Sequence, residues 1–330
     1  LTLVFFNVKI KGTIKKTGAN DMRKAHWMAG NYGVMVHYLP EAMPCGGPKK
    51  MTVNEMADNF DVKAFVKELK DMGASWVIFP FGQNSGYYWS YNVEIEKRIP
   101  GICTRRDLAF ELAVEIKKQG LRFIAYFPTE VDDNVKMIRY AFGWDLSPDK
   151  KVFMERWMKV VKYYGEKYGD LLDGWWFDGN YDTKIKTFKR TLDWNNSRFD
   201  EKAWFEAARA GNPDRITAMN DGANQMTYVF EQEEYIGGES SRNLEFYPWD
   251  YESREKQWHA LICVDTSEWF HYQEGKIAPP KFSDEELFEY TKKCLDKKGG
   301  ITWNIGIYED GTMAEESVAQ IKRLKESLGK

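Results

Sequence analysis

The chain has 330 residues, enough for one large α/β barrel or two smaller domains, and a hydrophobic content of 43% supplies a sizeable core. Lysine and arginine number 47 against 50 aspartates and glutamates, a balance that recommends neither a nucleic acid nor an anionic membrane as partner. No apolar stretch reaches the length of a membrane span.

The opening Leu1–Phe6 is too short for a signal-peptide core and has no basic segment before it. If a leader has been removed from a chain that starts with leucine, a periplasmic or extracellular location is expected. Gly33-Val-Met-Val-His37-Tyr38 reads as the first core strand. Asp61 caps a helix with Val62, Phe65, Val66, Leu69 and Met72 on one face and Gly73 as its stop, and Trp76–Pro80 follows as strand two. Asp107 opens a helix with Leu108, Leu112 and Ile116 on one side, and Leu121–Phe127 is strand three. Phe153, Trp157, Val160, Tyr164 and Tyr168 mark a long helix leading into strand four, Asp173–Asp178.

The second half repeats the pattern less cleanly. Ala203–Ala210 reads as helix and Arg215–Asn220 as strand, and a short strand ends near Gly238-Glu239. Helical residues around Glu255–His259 precede the strand Leu261–Asp265. Ser283 and Glu286 make a capping box for a helix to Lys297, Gly300–Ile305 is the eighth strand, and Glu315–Leu328 closes as helix. Eight strands interleaved with helices, most continuously apolar, predict a (β/α)8 TIM-like barrel, less regular in its second half. A doubly wound open sheet would carry a glycine-rich loop after strand one, where this chain has His37-Tyr-Leu-Pro-Glu-Ala-Met. No linker divides the chain, so a single domain over 1–330 is expected.

In such a barrel chemistry gathers at the C-terminal ends of the strands, here His37, Tyr126, Asp178, Asn220, Glu239, Asp265 and Asn304. Glycoside hydrolysis with retained configuration needs two carboxyl groups about 5 Å apart, one attacking and one serving as acid and then base. Asp178 suits the nucleophile, since it ends the run Gly174-Trp-Trp-Phe and precedes Gly179; as an Asx residue at a β–α junction it equally suits a turn or cap. Glu239, after Gly237-Gly238, is the preferred acid/base, with the run Glu231, Glu233 and Glu234 as an alternative that otherwise reads as a solvated face. Asp173, at the start of the same strand as Asp178, belongs near the opposite face.

Thirteen tryptophans and 18 tyrosines offer flat faces for sugars as well as core volume. Trp89, Trp176 and Trp269 are stacking candidates, although Trp175 and Trp176 must point to opposite sides of their strand. His37 is positioned to donate to a sugar hydroxyl or to be satisfied by backbone. The four histidines lack metal-ligand spacing, neither His-Glu-x-x-His nor Gly-x-Ser-x-Gly is present, and Cys45, Cys103, Cys263 and Cys294 read as buried free thiols.

Several segments taken together resemble the α-L-fucosidase family of retaining glycoside hydrolases, the group numbered 29. They are Tyr32-Gly-Val-Met-Val-His37-Tyr38, Gly86-Tyr-Tyr-Trp89-Ser, Arg106-Asp-Leu108 with Gly120-Leu-Arg-Phe123, Trp176-Phe-Asp178-Gly, and Asn304-Ile-Gly306 with Asp310-Gly-Thr312. The resemblance implies Asp178 as nucleophile, Glu239 as acid/base, and His37, Tyr126 and Trp176 as sugar contacts. It implies a carbohydrate substrate and no metal or organic cofactor, and this chain ends before the C-terminal β-sandwich that many members add. One departure matters: where the family commonly places His-His-Asp-Gly or His-His-Glu-Gly, this chain has Gln83-Asn84-Ser85-Gly86. The carboxamides keep hydrogen bonding but change its reach, so Gln83 and Asn84 become the candidate specificity wall and fucose itself need not be the sugar. A binding barrel without catalysis and a lyase or isomerase on the same rim are the competing expectations, and the oligomeric state is left open.

Overall fold

The structure is a computed structural model describing residues 23–83, 86–131, 135–179, 199–241, 243–249, 255–265 and 269–330. Its strands are β1 (Tyr32–Met35), β2 (Trp76–Pro80), β3 (Arg122–Pro128), β4 (Gly174–Asp178), β5 (Ile216–Met219), β6 (Glu239–Ser241), β7 (His259–Cys263) and β8 (Gly300–Asn304). Among the described residues the helices are α1 (Val53–Asn59), α2 (Val62–Asp71), α3 (Val93–Glu96), α4 (Leu108–Lys118), α5 (Lys136–Phe142), α6 (Lys151–Tyr168), α7 (Glu201–Ala208), α8 (Asp284–Asp296) and α9 (Glu315–Ser327). None of them is long and apolar enough to cross a membrane.

All the strand pairs are parallel, in the order β5-β4-β3-β2-β1-β8-β7-β6, so the first and last strands in sequence lie side by side as in a (β/α)8 barrel. The expected caps form: Asp61 accepts from Ala64 N–H, Asp107 from Phe110 N–H, and Ser283 with Glu286 closes a capping box.

The irregularity lies between β5 and β6, where no strand ladder runs among the described residues. Glutamate side chains fill in for it. Thr217 N–H donates to Glu234 Oε2 at 2.9 Å and Met219 N–H to Glu233 Oε2 at 2.7 Å, while Glu234 N–H returns to Thr217 O at 3.0 Å. This corrects the solvated-face reading of that acidic run. Glu233 is buried and also takes the N–H groups of Val229 and Phe230, and only Glu231 projects into solvent. Two boundaries also move. The residues around Glu255–His259 are not helical, His259 instead opening β7, and β6 begins at Glu239 rather than ending there. Gly237 and Gly238 make that approach possible: a Cβ at Gly237 would lie 2.7 Å from Met219 O, and one at Gly238 would lie 2.0 Å from His259 O.

Strand alternation divides the core in two. Met35, Trp76, Ile78, Ile124, Tyr126, Trp176, Ile216, Ala218 and Leu261 fill the barrel axis, and the other face of each strand packs under the helices. Trp175 goes outward, its indole N–H donating to Ala208 O in α7, while Trp176 goes inward. Low on the axis, Gly33 leaves room for Trp76, whose Nε1 would lie 2.3 Å from a Cβ there. Trp76 donates to Thr302 Oγ1 at 2.8 Å, and that hydroxyl also pairs with His259 Nε2 at 2.7 Å. Asp173 lies at the N-terminal end as expected, where it is buried against Arg122 and Phe123 N–H. Of the four cysteines, all free thiols, Cys103, Cys263 and Cys294 are buried, but Cys45 is exposed, against expectation.

Candidate active site

Asp178 ends β4 with its side chain half-buried, one residue-pair above Trp176 on the axial face. Its backbone is fixed from β3: both the N–H and the hydroxyl of Thr129 donate to Asp178 O at 2.7 Å. Tyr126 O–H donates to Asp178 Oδ2 at 2.5 Å. Burial and the neighbouring charge of Asp178 raise the tyrosine pKa well above its ordinary value, so it stays a donor.

Glu239, at the start of β6, is half-buried and shares a partner with Asp178. One nitrogen, Asn220 Nδ2, donates to Asp178 Oδ1 at 2.9 Å and to Glu239 Oε2 at 2.5 Å. With its two N–H bonds about 120° apart, those lengths put the accepting oxygens ~4.7 Å from each other. Burial first, and the charge of Asp178 second, push Glu239 up to about 7, against the lowering pull of the Asn220 bond. Two carboxyl groups therefore face one another across a short gap, and burial with the neighbouring charge raises the proton affinity of Glu239.

His37 lies beyond β1, buried, its ring edge-on to Tyr126 at 4.6 Å, with Nδ1 enclosed and without a partner. Burial lowers its pKa to about 4 in spite of Asp178, so near neutral pH it is an uncharged imidazole. Asn304 donates to Trp269 O at 3.0 Å, and Trp269 is half-buried against the top of the axial cluster. Asp265, fully buried, accepts from Gly306 N–H at 2.6 Å and orders the turn after β8. Gln83 stands half-buried just beyond β2, whereas Asn84 lies outside the described residues.

Two expected stacking platforms are something else. Trp89 is core: it is 1% exposed, stacks on Tyr38 at 4.7 Å, and spends its indole N–H on Tyr38 O. Trp176 is 3% exposed, stacks beneath Tyr126 at 5.5 Å and donates to Gly237 O, so it supports Tyr126 instead of offering a broad face. The sequence reading also missed two contributors. Asn220 was placed on the rim without a role, and no local motif marks a residue whose partners come from two other strands. Glu130, 7% exposed, packs so closely on Gly179, whose φ is +99°, that a Cβ there would lie 2.6 Å from its Cγ; in the sequence the only hint is a glycine after the aspartate. Among the described residues no three His, Cys, Asp or Glu side chains cluster as metal ligands.

A search of curated protein sequences finds no match. Among solved structures, an endo-fucoidan hydrolase, P5AFcnA, from glycoside hydrolase family 107 superposes with a TM-score of 0.65 at 14% identity, covering 92% of each chain. A second endo-fucoidan hydrolase of that family, MfFcnA4, gives 0.67 at 17% identity over 92% of this chain, which spans 53% of its length. The α-L-fucosidase GH29 from Bacteroides thetaiotaomicron, described as a trapped covalent intermediate with 2-fluoro-fucosyl fluoride, gives 0.64 at 15% identity over 98% of this chain and 78% of its own. These likenesses establish the shared barrel. The sequence model of the family described as Alpha-L-fucosidase matches residues 11–329. The chain therefore belongs to the alpha-L-fucosidase family, glycoside hydrolase family 29, and is a glycoside hydrolase.

Proposed function

We propose that this enzyme is a retaining, exo-acting glycosidase of the α-L-fucosidase type, working on fucose or a related sugar by double displacement. The observation that carries this is the shared amide donor, which holds Asp178 and Glu239 within the roughly 5 Å that the retaining reaction uses. Asp178 attacks the anomeric carbon as the bond to the leaving oxygen breaks, and Glu239 gives that oxygen its proton. Water then loses a proton to Glu239 and attacks the same carbon, releasing Asp178 and the sugar with its original configuration. The Tyr126 bond keeps Asp178 aimed, and the neutral His37 ring offers a nitrogen to a hydroxyl.

Proton NMR of the first-formed sugar from a panel of aryl glycosides tests the stereochemistry. Retention is expected, with Asp178→Ala reducing turnover by several orders of magnitude. Inversion, or an undiminished Asp178→Ala enzyme, refutes the scheme. Because Glu239 must carry its proton in the first step and is held at about 7, kcat/KM should fall as pH rises above about 7. The likeness to endo-fucoidan hydrolases favours one second reading, cleavage within a fucose-containing chain. Release of oligosaccharides rather than single sugars distinguishes it.

A further inference from the structure

We propose that Asn220 is the positioning residue of the carboxylate pair: one amide fixes the separation of Asp178 and Glu239, and its two N–H donors serve whichever carboxylate holds the negative charge. This rests on the double-displacement reading.

Asn220 follows β5 directly, and its backbone N–H still donates to Phe177 O at 2.7 Å, so the residue is held by β4. Ile216 and Ala218 lie on the axial face, and alternation sends the Asn220 side chain the same way. Gly222 N–H donates to Asn220 Oδ1 at 3.1 Å, which commits the amide oxygen to the turn and the nitrogen to the carboxylates. Gly222 has a φ of +108°, a conformation that glycine adopts without strain, so the chain can fold back to make that bond. Asn220 is 0% exposed and both its N–H groups are engaged. It has no donor left for a sugar, and so acts through the two carboxylates.

A neutral double donor suits a charge that changes sides. Before the first displacement Asp178 is ionised and Glu239 protonated, so the charge-assisted bond is the one to Asp178. Once Asp178 is an ester and Glu239 has given up its proton, the charge-assisted bond is the one to Glu239. The amide stays still while the charge moves, and no reorganisation is required between the two steps. Lysine or arginine here would favour ionised Glu239 and strip it of the proton it must donate. Aspartate would set a second negative charge beside the one the pair already carries, and serine has a single donor on a shorter arm.

The test uses the full chain and the least activated aryl glycoside that the wild type hydrolyses, so that proton donation matters. Asn220→Leu keeps the volume and removes the donors: kcat should drop on the order of 100-fold with KM nearly unchanged. The basic limb of the pH–rate profile should move to higher pH, because the bond that favours ionised Glu239 is gone. Asn220→Asp keeps the shape and the Gly222 bond, adds a charge, and should move that limb the same way; it carries the test if the leucine variant does not fold. Thermal midpoints of both are measured alongside Asp178→Ala and Glu239→Ala. An active Asp178→Ala enzyme overturns the two-carboxylate reading. If Asp178→Ala is inactive yet the Asn220 variants keep their rate, or lose it only with stability while the basic limb stays in place, the positioning role is overturned and that reading stands.

Discussion

Replacing Asp178 by asparagine should lower the pKa of Glu239 by about one pH unit. Glu239 is held at about 7 where an ordinary glutamate titrates at 4.5, and burial outranks the charge of Asp178 as the cause. Burial has the larger share and the Asn220 bond pulls the other way, so the Asp178 charge is assigned about one pH unit, roughly 1.4 kcal/mol. Coulomb's law brackets that share: charges ~4.7 Å apart repel by ~3.5 kcal/mol at a dielectric constant of 20 and by ~0.9 in bulk water. Both carboxylates are only partly buried, so an intermediate value is expected. Enzyme carrying 13C-labelled glutamate side chains can be titrated by NMR, with the Glu239 resonance assigned by its absence in Glu239→Gln. The midpoint should fall from about 7 in the wild type to about 6 in Asp178→Asn, and Asp178→Ala should shift it in the same direction. An unchanged or higher midpoint would mean that the two groups do not share a field, and the assignment of acid and nucleophile would lose its physical basis. The reaction itself makes the same change: when Asp178 becomes an ester its charge vanishes, and Glu239 becomes a stronger acid just when it must ionise.

Three other outcomes follow from the fold. Arg215 is fully buried and donates to the carbonyls of Leu172, Ala208, Ala210, Gly165 and Gly169, tying the ends of α6 and α7 to the base of β4. Arg215→Met leaves those acceptors unmet and should cost at least ~4 kcal/mol, read from the denaturant midpoint or from loss of soluble protein. Gly33→Ala places a Cβ inside the Trp76 ring and breaks its bond to Thr302, so a loss of about 2–3 kcal/mol is expected with the catalytic pair untouched. His259 is buried and lowered to about 4 from 6.5. The unfolded chain therefore takes up its proton first as pH falls, and the stability that neutral His259 contributes is present above 6.5 and is lost as pH drops towards 4. Between pH 7.5 and 5 that loss should be about 2 kcal/mol, and His259→Gln should be less sensitive to pH over that window.

The periodic helices, their capping residues and the continuously apolar strands were legible as sequence because each depends on neighbours a few positions away. Asp61, Asp107 and the Ser283–Glu286 box cap helices where local chemistry says they should. Asp178 was legible for the same reason, at the end of a strand too apolar to keep it. The closure of the barrel was not. Glu233 and Glu234 read as a hydrated run, and only their placement beside β5 turns them into acceptors for its unpaired N–H groups. Trp89 and Trp176 looked like open aromatic faces because a sequence carries no record of what covers a ring; Tyr38, just after β1, and Tyr126, in β3, do that. The distance between Asp178 and Glu239 depends on strands β4, β5 and β6 meeting at one rim, with Asn220 between them. Residue order determined which groups are available and on which face of each strand they lie, whereas long-range packing decided which of them touch, and with that the proton affinity of Glu239.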